Sequence, residues 1–357
     1  MFAAMKPLLA SAALVAALAA GGDAIADRAA ATGTLVVLNK AEASASLIDL
    51  VTGKVAATVK TGDGPHEVAI SPDGEHAVVT NYGGQGAPGS SLTVIDVRGA
   101  RVLRTLQLGP YKRPHGIQYA PGGRDLLVTS EDSKALLVLD AANGRVRRRI
   151  DTGQQVSHMV AVAPDGRRAY VANIGSGSLT VADLAAGKVV ATIPTGAGAE
   201  GVAITPDGRA VWVTNREADT VSIVDTATLK VVAQLPARSF PIRVQITSDG
   251  RWAVVSCAKT GEVRFFDAVK RVEVGRLAMP ARAASGDGRL FGDQFGGSPV
   301  PIGIVLPPTP PGRAYVAGAH ADEVVAIDIA SRKVLTRLRA GREPDGLGWS
   351  PVAVKPR

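Results

Sequence analysis

The chain has 357 residues, 46% of them hydrophobic, with 40 glycines, 22 prolines and a net charge of +8. That length and apolar content build a large core and exclude an intrinsically disordered chain. A single cysteine, Cys257, excludes an internal disulfide, and the basic residues are spread along the chain with no long run.

In chain order, Lys6 precedes an apolar run at 8–20 that is too short to span a bilayer, and Ala24-Ile25-Ala26 places small residues before Asp27. Residues 1–26 read as a signal peptide. The mature chain is therefore expected to be periplasmic or secreted, with no membrane span after cleavage and no cysteine available for a lipid anchor.

From residue 34 onward, short alternating or β-branched runs are closed by turn residues. The stretch 201–235 shows the unit: 202–205 ends at Pro206-Asp207-Gly208, 210–215 at polar 216–219, 220–225 at 226–228, and 230–235 follows. Period-two apolar residues between Pro, Asp, Gly and Asn predict four strands of an antiparallel meander. The unit recurs. Third strands end at Asp49, Asp96, Asp140, Asp183, Asp225, Asp267 and Asp328, at spacings of 47, 44, 43, 42, 42 and 61. Second strands read VVLN (36–39), VVTN (78–81), LVTS (127–130), YVAN (170–173), WVTN (212–215), VVSC (254–257) and YVAG (315–318). Turns such as SPDG (71–74), APDG (163–166) and TPDG (205–208) precede them, Pro presetting the turn and Gly taking positive φ. Seven copies of about forty residues match the period of propeller blades.

The first copy begins at its second strand, 34–39, and the chain ends with a first strand that has no second, 345–351. Pairing these halves closes a ring and removes two free edges. The expected fold is all-β: one domain over 27–357, a seven-bladed propeller of four-stranded antiparallel blades with N- and C-terminal strands sharing one blade.

The strand signature, the PDG turn and the Asp-x4-Lys/Arg-Val turn resemble the YVTN-repeat family of extracytoplasmic β-propellers, the YncE-like proteins, over about 34–351. The resemblance implies the fold. It leaves activity open, since related propellers include lactonases, metal-dependent lyases, haem-binding domains and nucleic-acid binders.

In such a blade the first strand lies nearest the axis, and the fourth-to-first linker and the second-to-third loop share one face. The longest irregular stretches, 82–90 and 281–300, fall on that face, where function concentrates. The residue two before each apolar first-strand core is, from blade 1, Asp345, His66, His115, His158, Glu200, Ile242 and Ile302. Three of the five histidines share this position, Glu67 and Arg243 fall one residue later, and His320 follows the second strand of blade 7.

Three readings stay open. The first is a small-molecule or protein-partner site at the channel mouth, contacted by Asp345, His66, Glu67, Lys112, Arg113, Arg216 and His320. The second is a divalent metal ion on His66, His115, His158 and Glu200, giving hydrolase or lyase chemistry of the lactonase type. The third is metal-free catalysis by His115, His158 and Glu200, with Arg243 holding an anion. Polyanion or nucleic-acid binding is a further alternative. Its support is the Arg145, Arg147, Arg148 and Arg149 cluster, with Tyr82, Tyr111, Phe291 and Phe295 as exposed aromatic candidates, in a chain only 4% aromatic. Outer-strand arginines also suit edge protection. The chain is expected to act as a monomer. Trp212, Trp252 and Trp349 read as core, Cys257 as a structural thiol, and Asn39, Asn81, Asn173 and Asn215 as partners of their own following turns.

Overall fold

The computed structural model describes Met1 and residues 31–84, 86–279, 289–309 and 311–355. The signal-peptide reading, apart from Met1, and the first part of the 281–300 loop lie outside the described residues.

Among the described residues the strands form seven four-stranded antiparallel sheets, each ordered from an innermost first strand to an outer fourth strand. The innermost strands are Pro344–Ser350 in blade 1, then Pro65–Ile70, Pro114–Tyr119, Ser157–Val162, Ala199–Ile204, Pro241–Ile246 and Pro301–Val305 in blades 2 to 7. Blade 1 mixes the chain ends: Pro344–Ser350 pairs with Thr34–Asn39, Leu35 facing Trp349 and Thr34 facing Ser350. The predicted ring closure is therefore a direct strand pairing. No helix of the described residues is long and apolar enough to cross a membrane.

The sequence alternation explains the layering. Second and third strands are buried on both faces, as in Ala210–Asn215 and Thr220–Asp225, because neighbouring blades cover them, while fourth strands alternate or stay exposed. Leu38, Leu47, Val79 and Ile95 join blades 1 and 2, and Trp212, Ile223, Val244 and Phe266 join blades 5 and 6. Each such fully buried side chain contributes about 1.5–3 kcal/mol of apolar transfer. Trp252 and Trp349 are only half-buried: Arg251 lies over the Trp252 ring, and the Trp349 indole donates to the Thr32 carbonyl.

Outer-edge arginines are engaged locally. Arg147 pairs with Asp125 and Asp140, and Arg148 donates to the Leu184 and Ala185 carbonyls of the next blade. Asn173 closes its own following turn, donating to the Ser178 carbonyl and hydroxyl, while the others reach further. Asn81 donates to Ser91 and Thr93 on the third strand and accepts from the Gly62 N–H in the linker to its own first strand. Asn39 repeats this with Ser44, Ser46 and Gly341. The asparagine thus ties three parts of one blade together.

Two backbone devices shape the axis. Every innermost strand shifts register against its partner near its start, as between Pro65 and Val68, or Pro114 and Ile117. At this bulge, the Thr80, Thr129, Thr214 and Ser256 hydroxyls accept from the N–H of the third strand residue. Thr129, Thr214 and Ser256 also donate to a carbonyl of the next blade. The third residue itself is Gly346, Gly116, Gly201 and Gly303 in the odd blades and Glu67, Met159 and Arg243 in the even ones. A Cβ on Gly303 would lie 2.0 Å from the Asp345 carbonyl oxygen, and one on Gly116 would lie 2.6 Å from that of His158. Close approach of neighbouring blades therefore demands glycine at alternate positions, and only the even blades project large side chains there.

Candidate functional site

Bulges re-aim side chains, and here the second residue of each innermost strand is the one re-aimed. Asp345, His66, His115, His158, Glu200, Ile242 and Ile302 all occupy that place and are all buried. The strands begin slightly earlier than the apolar pattern suggests, because residues such as Pro65 already pair with the second strand.

The three imidazoles form a row rather than a ring. His115 lies between the others, its ring centroid 4.1 Å from that of His66 and 3.5 Å from that of His158, while the outer two are 6.5 Å apart. His158 Nδ1 donates to Glu131 Oε1 at 2.6 Å, and Glu131 Oε2 accepts from the Tyr82 hydroxyl at 2.6 Å. On the other flank, His66 Nδ1 sits 2.6 Å from Asp345 Oδ2, and Lys40 Nζ donates to His66 Nε2 at 3.2 Å. Neither ring nitrogen of His115 has a partner, although the residue is 0% exposed.

A salt-bridge network closes the rest. Arg243 donates to Glu67 Oε1 through Nε and Nη2 and to Glu200 Oε1 through Nη1, and Arg216 donates to Glu200 Oε2. Burial opposes ionisation of Glu200, but His158 and the two guanidiniums outweigh it and pull its pKa to about 2. Burial, followed by the charges of His158, His66, Arg243 and Lys40, holds His115 well below the ordinary histidine value, so the ring is neutral. Burial would lower His158 too, but hydrogen bonds and charge from Glu131 and Glu200 raise it instead.

Several of these residues come directly after the last residue of the second-strand motif: Lys40, Tyr82, Glu131 and Arg216 in blades 1, 2, 3 and 5, with Ala258 and Ala319 at the same place in blades 6 and 7. This second ring escaped the sequence reading for Lys40 and Glu131. The signal was present, since each follows directly on the asparagine or serine that ends the second-strand motif.

The other expected residues lie elsewhere. His320 donates from Nε2 to the Leu290 carbonyl at 2.7 Å, anchoring the segment that enters blade 7. Arg113 points outward, 3.5 Å from Asp132 and over the Tyr82 ring. The Lys112 carbonyl accepts from Ser130 Oγ. Glu200 is occupied by arginines, and the donor groups that converge are His66, Glu67 and His115, and His115, Glu131 and His158, each within 4.8 Å.

Residues 82–90 lengthen a hairpin, strands His76–Gly83 and Pro88–Asp96, and place Tyr82 edge-on to His66 and His115. Phe295 and Phe291 are packed with Phe240 and cover Ile242, Ala258, Val300, Ile302 and Ala319. Tyr111 lies half-buried beneath Arg149. The aromatic candidates for nucleic-acid stacking are thus engaged within the fold.

The family model described as the cytochrome D1 heme domain matches residues 122–273. No curated protein matches the chain. Among solved structures the chain is similar to hydrazine synthase of Kuenenia stuttgartiensis, at 20% identity and TM-score 0.67 over 81% of this chain and 90% of that one. It is also similar to a functionally unknown protein from Desulfotomaculum acetoxidans DSM 771, at 13% identity and TM-score 0.73 over 91% and 100%. A third is the dihydro-heme d1 dehydrogenase NirN in complex with DHE, at 16% identity and TM-score 0.64 over 89% and 75%. At these identities the likeness is one of fold.

A haem group tests poorly against this cluster. Iron in a macrocycle takes only axial ligands from protein, whereas three imidazoles and two carboxylates crowd together here, with the rings in direct contact. That donor chemistry suits a bare ion.

Proposed function

We propose that this is an extracytoplasmic, YVTN-repeat-like propeller that binds a divalent transition metal at the mouth of its channel. The supporting observation is His115: a neutral imidazole, 0% exposed, both nitrogens unpartnered, at the centre of two donor groups. Leaving a buried polar atom unsatisfied costs about 1–3 kcal/mol, and a coordinated ion removes that cost. Charge is consistent with an ion in place of the His158 proton: Asp345, Glu67, Glu131 and Glu200 are four carboxylates against Lys40, Arg216 and Arg243, and Glu131 and Glu200 now draw a proton onto His158. Asp345 faces His66, an outer-shell carboxylate of the kind that metal-binding histidines use.

An ion held here would polarise a bound small molecule or acidify water. This chain's own residues would position an anion through Arg216 and exclude bulk water by burial. Glu200, with its pKa near 2, is a weak general base, which disfavours metal-free catalysis. The match to the cytochrome D1 heme domain favours a second reading, a haem-type ligand resting outside the cluster against Tyr82 and Phe240.

The deciding experiment loads metal-stripped protein lacking residues 1–26 with Zn²⁺ or Cu²⁺ and measures metal after dialysis. Retained metal that is lost in His115→Ala is expected. Wild-type protein that retains none overturns the reading, and a shift of the hemin Soret band that saturates at one hemin per chain would support the second one.

A further inference from the structure

The donors on the two sides of His115 do not overlap except in that ring. On one side stand His66 and Glu67, and on the other Glu131 and His158. The outer imidazoles are 6.5 Å apart at their centroids, too far to share one ion as they lie. Both Arg243 contacts on Glu67 fall on Oε1, and Oε2 carries neither. His115 has two buried ring nitrogens with nothing bonded to either.

We infer that the mouth holds two metal ions bridged by the His115 ring, one nitrogen to each, with His66 and Glu67 completing one side and Glu131 and His158 the other. This rests on the metal reading and extends it. The balance is simple: each nitrogen donates one lone pair to an ion, and the ring's remaining N–H proton leaves to solvent, giving an imidazolate bridge. Imidazole and carboxylate donors suit Cu²⁺ and Zn²⁺. Lys40 Nζ, 3.2 Å from His66 Nε2, is the cation that the ion on that side displaces. The ring's burial and its freedom from any competing hydrogen bond are what a bridging ligand needs and what an ordinary core histidine lacks.

The test uses copper alone, on stripped protein lacking residues 1–26. Bound copper is measured after dialysis and compared with the doubly integrated electron-paramagnetic-resonance signal. Two coppers per chain are expected, with a spin signal well below half of the copper content, because a bridged pair couples antiferromagnetically. Glu67→Gln should fall to one copper with its full signal, and Lys40→Met should tighten the second equivalent. Should His115→Gln fail to fold, the Glu67 and Lys40 variants still decide the matter. Saturation at one copper, or two coppers with undiminished spin, overturns the bridge while leaving the single-ion reading intact. No copper at all overturns both.

Discussion

Arg243 is the group whose removal should be felt most widely. Its guanidinium is buried and satisfies Glu67 and Glu200 at once with three donors in one plane. In Arg243→Ala the buried Glu200 and the part-buried Glu67 each lose a partner, and breaking a buried pair on one side costs about 3–5 kcal/mol. The carboxylate side of the network shows in Glu200. Glu200 is pulled from its ordinary 4.5 to about 2, and at ~1.4 kcal/mol per pH unit this is roughly 3 kcal/mol of stability. His158 and Arg216 hold the larger part of that share and Arg243 the smallest, so most of the Arg243→Ala cost comes from the unpaired carboxylates themselves. Because the folded value lies below the unfolded one, the stabilisation is complete above about pH 4.5 and drains as pH falls towards 2. Urea unfolding of wild type and Arg243→Ala, with chelator present, should therefore show a gap of about 3 kcal/mol at pH 7 that narrows by pH 3. Arg243→Lys should recover less than half, since one ammonium cannot reproduce the fork. A gap below about 1 kcal/mol at pH 7, or one unchanged at pH 3, would refute the electrostatic account of the network.

Three further outcomes follow from the packing. Gly303→Ala places a methyl group 2.0 Å from the Asp345 carbonyl; it should destabilise by about 1–3 kcal/mol, and a stabilised variant would show that the blades do not approach as described. Asn81→Ala removes its bonds to Ser91, Thr93 and the Gly62 N–H, leaving that N–H only its longer bond to Thr93, so thermal unfolding should register a loss of about 1–3 kcal/mol. Cys257 is buried and its thiol is pushed up to about 12, chiefly by burial; a thiol reagent at pH 8 should label it only after denaturation, and rapid labelling of folded protein would contradict its placement.

The seven-blade ring was legible because its signals are local and repeated. Asp49 through Asp328 mark third-strand ends, and the unmatched half-repeats at 34–39 and 345–351 show how the ring must close. The histidines were legible because the repeat register puts His66, His115 and His158 at one place in the blade. Less could be read of what surrounds them. Glu131 follows the second strand of blade 3, and only the packing of blade 3 on blade 4 brings it to His158. The alternation of glycine with Glu67, Met159 and Arg243 becomes meaningful only once the distance between blades is known. Asn81 misled because its partners, Ser91, Thr93 and Gly62, are neighbours across the sheet rather than along the chain.

The asymmetry of the mouth ties these observations together. Blades 1 to 5 present ionisable groups at the second strand residue, while blades 6 and 7 present Ile242 and Ile302, with Ala258 and Ala319 beside them. Those four residues are the floor on which Phe291 and Phe295 sit, held by Arg289 on Asp322 and by the Leu290 N–H on Glu343. An apolar seat and the aromatic segment that fills it thus complete one half of the opening. That cover lowers the effective dielectric around the other half, where unpaired polar atoms and uncompensated charges become costly. A channel that merely held water would need neither the cover nor a fully enclosed imidazole. The same burial raises the cost of leaving His115 bare, and that cost is the physical ground for the ion we propose there.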